Sequence, residues 1–204
     1  MIAVAVLVTL LAGCSQGDPE FRASPIGSVP TQAPTTLTTT LTTVPAALPT
    51  LPALVSFIPE RIRVRRLQVD APVVSVSILP AGDLDVPANP DVIGWWAEGA
   101  RPGDATGSVV LDGHVDSAQR GLGAFAALRS AQVGDMVEVV GTGGENRAYT
   151  VVARRVYPKS SLPAAEVFSQ DVAERLVLVT CGGRFDRATG HYDDNIVVYA
   201  APTV

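Results

Sequence analysis

Two residues of this sequence could together carry out nucleophilic acyl chemistry: the thiol of Cys181 and the imidazole of His114. Cys181 closes the apolar run Leu176-Val177-Leu178-Val179, which reads as a strand buried on both faces and ends at Thr180-Cys181-Gly182-Gly183. The two glycines remove side chains where a peptide backbone could approach the sulfur. The other reading of Cys181 is a small apolar residue ending a core strand. His114 has the same setting, because the apolar run Gly107-Ser108-Val109-Val110-Leu111 leads into Asp112-Gly113-His114-Val115-Asp116-Ser117. In each case a buried strand delivers a reactive group to its end, beside glycine.

The elements that must position these groups are mostly strands. Ile62, Val64, Val69 and Val73 to Ile78 form short β-branched runs, with a turn at Pro80-Ala81-Gly82-Asp83. In Arg61-Ile62-Arg63-Val64-Arg65-Arg66 the arginines alternate with apolar residues, which places them on the wet face of a strand. Met136 to Val140 and Ala148 to Val156 read as a hairpin across Gly141 to Asn146. Gly123 to Ser130 reads as a short helix, and Pro163 to Gln170 as a loop or short helix. Trp95-Trp96, set among glycines, reads as a core plug rather than a groove wall.

Composition narrows the function classes. The chain has 204 residues, a net charge of -5, 47% hydrophobic and 5% aromatic residues, enough for one domain plus an appendage. The acidic balance argues against nucleic acid as a partner. Two Cys and two His, scattered along the chain, do not make a structural zinc site.

Met1 to Gly13 is apolar throughout and short for a membrane span, and it is read as a signal peptide over residues 1–13. It ends in Leu11-Ala12-Gly13-Cys14, which resembles a bacterial lipobox, so Cys14 is the expected lipidation site and the membrane is reached through an N-terminal lipid. No Lys or Arg precedes the run; a start further upstream would turn the same segment into a transmembrane anchor. With Cys14 lipidated, Cys181 is the only remaining thiol of an exported chain, and it has no disulfide partner. Residues 14–58 are expected to form the lipidated Cys and a disordered stalk, rich in Pro, Thr and Ala from Ser24 to Ser56. Fully extended, such a stalk would reach on the order of 100 Å. The catalytic domain is then 59–204.

From about Pro59 onward the sequence resembles the sortases, cysteine transpeptidases of bacterial surfaces, and within them class F. The resemblance rests on Ala71-Pro72-Val73-Val74 with Gly82, Leu84 and Pro87, and on Gly94-Trp95, Pro102-Gly103 and Gly134-Asp135. Its most specific parts are Gly113-His114-Val115-Asp116-Ser117, Leu178 to Gly183 with Phe185-Asp186, and Tyr192-Asp193-Asp194-Asn195. It implies an all-β fold: a closed β-barrel of about eight strands with short helices. It also implies that Cys181 forms an acyl-thioester with a secreted protein or peptide bearing a C-terminal LPxTG-type sorting signal. His114 would move protons, and an amine acceptor from the cell wall or another protein would take the acyl group, with hydrolysis as a side reaction. Gly182 and Thr180 are the candidates for contacting substrate or the oxyanion, chiefly through backbone N–H groups around Gly182. No cofactor or metal is implied.

The third family position departs from the pattern. Sortases place an Arg just before the final strand, here Ile196 to Tyr199, and this sequence has Asn195 there. Arg184 and Arg187, after Cys181, are the substitutes that could supply a guanidinium, the alternative being that both are solvated loop charges. Asp116 is a candidate to orient His114, or else it bonds its own turn; His191 reads as exposed and idle. The missing Arg also supports a second class of function, a catalytically weak surface lipoprotein that binds peptide or wall polymer.

Overall fold

The computed structural model describes residues 20–31 and 57–203. The expected signal peptide, the lipidation site Cys14 and the stretch 32–56 lie outside the described residues. In chain order the elements are β1 (Glu20–Phe21), β2 (Ile26–Gly27), β3 (Pro59–Val64), β4 (Val69–Val76), β5 (Ile93–Trp96) and β6 (Ser108–Asp112). A small two-stranded clip follows, β7 (Asp116–Ser117) and β8 (Gly121–Leu122), then β9 (Met136–Gly141), β10 (Asn146–Pro158), helix α1 (Ala164–Val167), β11 (Arg175–Asp186) and β12 (His191–Pro202). Eight strands run in the order β11-β12-β10-β9-β3-β4-β5-β6, and β6 pairs back onto β11 in parallel. That pairing closes the barrel and brings the His114 and Cys181 strands side by side. Pattern alone could not show it, because strand order is not written in hydrophobic periodicity.

Alternation explains most of the wall. In β3, Ile62 and Val64 are buried in the main core. Arg61 and Arg63 face outward and pair with Asp70 of β4. The expected strand face ends there, since Arg65 and Arg66 lie in a 3-10 turn, where Arg66 pairs with Asp135. In β11 both faces are dry. Leu176 and Leu178 enter the main core with Trp95, Leu111, Ile196 and Val198. Val177 faces the other way, into a second cluster with Val110, Val197, Tyr199 and Val167 of α1. The run is continuous because α1 and its flanking loops roof the outer face.

Two local expectations are refined. The short helix expected over 123–130 is a 3-10 turn over Ala126–Ser130, without a side-chain cap to extend it. Trp95 is the core plug, whereas Trp96 is half-buried and packs edge-on against Phe168 at 5.3 Å.

Residues 20–31 correct the stalk expectation for that part of the chain: they form a strap laid on the barrel. Phe21 pairs with Gly183 and Ile26 with Arg154. Arginines far along the sequence hold its carbonyls. Arg154 donates to Ser24, Arg155 to Ile26 and Gly27, and the fully buried Arg175 to Pro30. Gly27 has φ +66°, and a Cβ there would run into the Val152 carbonyl oxygen. Gly27→Ala is therefore expected to release the strap at a cost of about 1–3 kcal/mol. Hydrogen exchange should show Ile26 and Gly27 losing protection while the amides of β11 keep theirs.

Candidate active site

Cys181 and His114 are brought together by the end of the β6–β11 ladder. Val179 is in register with Asp112. One step beyond, the Gly113 N–H donates to the Val179 carbonyl at 3.1 Å. The Thr180 hydroxyl donates to the Gly113 carbonyl at 2.8 Å, in a buried bond. These two bonds set the residues after them, Cys181 and His114, on neighbouring strand ends. The Thr180 side chain is thereby committed to structure, which leaves only its backbone for substrate. The Gly182 backbone is buried, and a Cβ there would collide with Ile196 Cδ1 at 2.6 Å. Just after Cys181, between Gly182 and Phe185, the β11–β12 register shifts, and Gly183 takes φ +81°. Such bulges re-aim side chains at the ends of ladders.

His114 is half-buried and fixed by backbone. Its Nε2 lies 2.9 Å from the Pro87 carbonyl oxygen. A carbonyl only accepts, so Nε2 carries the proton, and in the neutral ring Nδ1 is the free base. The orienting group is thus the Pro87 carbonyl. Asp116, the candidate for that role, accepts instead from the Tyr192 hydroxyl at 2.6 Å. Burial, with this bond and its negative partner, raises the Tyr192 pKa, so the phenol stays protonated. Tyr192 packs edge-on against Phe21 of the strap and against Phe185, in the cluster that also backs Cys181.

Two hollows meet at the Cys181–His114 pair. The larger, about 390 Å³, is walled by Leu84, Val86, Leu162 and Val179, with Asp112 and Asn195 among its polar groups. The smaller, about 340 Å³, runs past Val115, Asp116, Phe185, His191 and Tyr192. Cys181, His114 and Lys159 line both. An extended peptide laid across the sulfur would have a hollow on either side of its scissile bond.

The site's least expected group is Asp112. It is 7% exposed, and its Oδ1 has no hydrogen-bond partner. Burial first, and the nearby charge of Asp85 second, push its carboxyl up to about 8, so it is neutral at pH 7. Among the described residues no group of three His, Cys, Asp or Glu side chains is arranged to hold a metal ion.

The sortase-domain family profile matches residues 62–203. The chain belongs to the sortase family. No curated protein sequence matches it. Solved sortases share its fold. Sortase A from Corynebacterium diphtheriae aligns at TM-score 0.55 and 18% identity, over 73% of this chain and 62% of its own length. Sortase C-1 from Actinomyces oris aligns at 0.56 and 17%, over 71% of each chain. A Clostridium perfringens sortase D5 transpeptidase aligns at 0.52 and 21%, over 71% of this chain and 78% of its own. This chain thus spans under two thirds of the Corynebacterium protein.

The residue that the sequence matches to the family Arg position is the neutral Asn195. Asn195 of β12 pairs in register with Cys181 and lines the larger hollow. Arg184 is turned to Asp193 at 3.5 Å, and neither Arg184 nor Arg187 lines a hollow. His191 is exposed, but it lines the smaller hollow and so is not remote from the thiol. Sequence reasoning missed Lys159 and the Pro87 carbonyl. Pro87 was visible only as part of a family motif, and nothing local to Lys159 signals its place.

Proposed function

We propose that this chain is a class F-like, cell-surface cysteine transpeptidase acting on C-terminal LPxTG-type sorting signals. The observation that carries the reading is the meeting of Cys181 and His114 between two hollows at the closed end of the β6–β11 ladder. In the first half-reaction the Cys181 thiol gives its proton to Nδ1 of His114, the thiolate attacks the scissile carbonyl carbon, and the C–N bond then breaks. The departing amine leaves with the proton taken from Nδ1 of His114, and the acyl group remains as a thioester. In the second, an acceptor amine attacks the thioester carbon and loses its proton to His114, and the C–S bond breaks to return the thiolate. Water in place of the amine gives hydrolysis.

The anchor is part of the same proposal. Among the described residues no helix is long and apolar enough to cross a membrane. A lipid on Cys14 would sit six residues before Glu20, at most about 20 Å from the strap. Glu20 pairs with Arg184, just beyond Cys181. The lipid would hold the Cys181 end of the barrel near the outer face of the cell membrane, where membrane-attached substrates emerge.

The test is intact-mass analysis of the full chain incubated with an LPxTG-type peptide library, with Cys181→Ala alongside. A thioester adduct on the wild type alone is the expected result. The neutral Asn195 favours the second reading, a binding lipoprotein, which is left standing if peptide is retained without any adduct or cleavage.

A further inference from the structure

A thioester enzyme needs positive charge near its sulfur. An unassisted thiol, with an ordinary pKa near 8.5, is only a few per cent thiolate at pH 7, and the tetrahedral oxyanion needs donors besides. Asn195 has no charge to give, Arg184 is paired away from the hollows, and Arg187 lines neither. Lys159 lines both, with Cys181 and His114. Among the described residues it is the only Lys or Arg that does so.

Its place follows from the fold. Tyr157 and Pro158 of β10 pair with Asn195 and Asp194 of β12, and Asn195 pairs on its other side with Cys181. The next residue, Lys159, opens a 3-10 turn at the strand end (Lys159–Ser161), so it leaves the sheet just past the Pro158–Asp194 pair, and it shares the larger hollow with Asn195. It makes no ion pair among the described residues, although Asp83 and Asp112 share the larger hollow. It is also the only lysine in the sequence; every other cation of the fifteen Lys and Arg is Arg. A slender four-carbon stem with a terminal point charge can reach a reacting oxygen that a rigid guanidinium fork on the same short turn would crowd.

We propose that Lys159 supplies the positive charge that the family Arg position lacks, its ammonium favouring the Cys181 thiolate and donating to the oxyanion of the tetrahedral intermediate. This rests on the transpeptidase reading for its substrate, but its effect on the thiol can be measured without one.

The experiment measures Cys181 alkylation by iodoacetamide against pH, and kcat and KM on a cleaved LPxTG-type peptide, for the wild type, Lys159→Met, Lys159→Arg and Lys159→Met with Asn195→Arg. His114, Asp112, Asp83, Asp116, His191 and Tyr192 also face the thiol from the two hollows, so the profiles are compared between variants. Lys159→Met is expected to move the alkylation midpoint to higher pH and to lower kcat about 10²-fold, with KM little changed. Asn195→Arg should restore part of both, and Lys159→Arg should keep the alkylation midpoint of the wild type. Because the chain has one lysine, chemistry on the folded wild type is a second arm that needs no mutant to fold. Acetylation, which removes the charge, should reproduce Lys159→Met, and reductive dimethylation, which keeps it, should leave the alkylation profile in place.

An unshifted alkylation profile with kcat within twofold of wild type overturns the proposal, as does finding the peptide acyl group on Lys159 instead of Cys181. A wild type that forms no thioester, while Lys159→Met still shifts alkylation, overturns the transpeptidase reading and upholds the charge assignment.

Discussion

If the chain is the transpeptidase proposed above, replacing His114 by Ala is expected to slow cleavage of a sorting-signal peptide by about 10²–10⁴-fold, the range for losing a positioned general acid–base. Adding it to Cys181→Ala should cost little beyond Cys181→Ala alone, as expected of two side chains that act as one unit in the proposed reaction. The geometry specifies how the loss should depend on substrate. The Pro87 carbonyl holds the Nε2 proton of His114, so Nδ1 is the atom left to exchange protons with the amines of the proposed reaction. An amide nitrogen cannot leave unprotonated, whereas the alcohol of an activated ester can. His114→Ala should therefore impair peptide cleavage far more than acylation by an activated ester, with the two measured on the same variant as kcat/KM. Equal impairment would mean that His114 does no more than shape the hollow.

The sequence revealed the two reactive groups better than the frame that joins them. Cys181 and His114 stand out because each ends an apolar run beside glycine, and those runs became β11 and β6. The alternating arginines of Arg61 and Arg63 were readable for the same reason, a period of two on a half-wet wall. What could not be read depends on contacts between distant segments. Lys159 reaches the site only because β10 and β11 flank β12. Residues 20–31 are too poor in apolar side chains to suggest order, and their order comes from Arg154, Arg155 and Arg175, more than 120 positions later. Thr180 is a candidate for substrate or oxyanion contact in the sequence, and what the sequence does not reveal is that its hydroxyl ties the ends of β6 and β11 together. Asp112 was seen as the start of a His motif; its burial follows from the pairing of its strand with both β5 and β11.

Asp112 carries the largest expected effect on stability. In the unfolded chain its carboxyl titrates near pH 3.9, while in the fold burial lifts it to about 8. Below pH 4 both states are protonated and the group is neutral to folding. Between pH 4 and 8 the unfolded chain gives up its proton and the folded chain keeps it, so stability falls as pH rises, by up to about 1.4 kcal/mol per unit. Above pH 8 both states are ionised and the cost is constant at several kcal/mol. Asp112→Asn cannot titrate, so urea unfolding from pH 4.5 to 8.5 should show the wild type losing stability against the variant over that window. The comparison uses the slope, since an unmatched amide at Oδ1 would offset both ends of the curve alike. The same proton matters to the chemistry, because Asp112 lines the larger hollow with Cys181. Neutral, it adds no charge where a thiolate and an oxyanion must form; ionised, it opposes both and competes for the ammonium of Lys159. Peptide cleavage by the wild type should therefore decline above pH 8 more steeply than cleavage by Asp112→Asn. Parallel unfolding curves across the whole window would show that Asp112 is ionised in the fold and finds a counter-charge there.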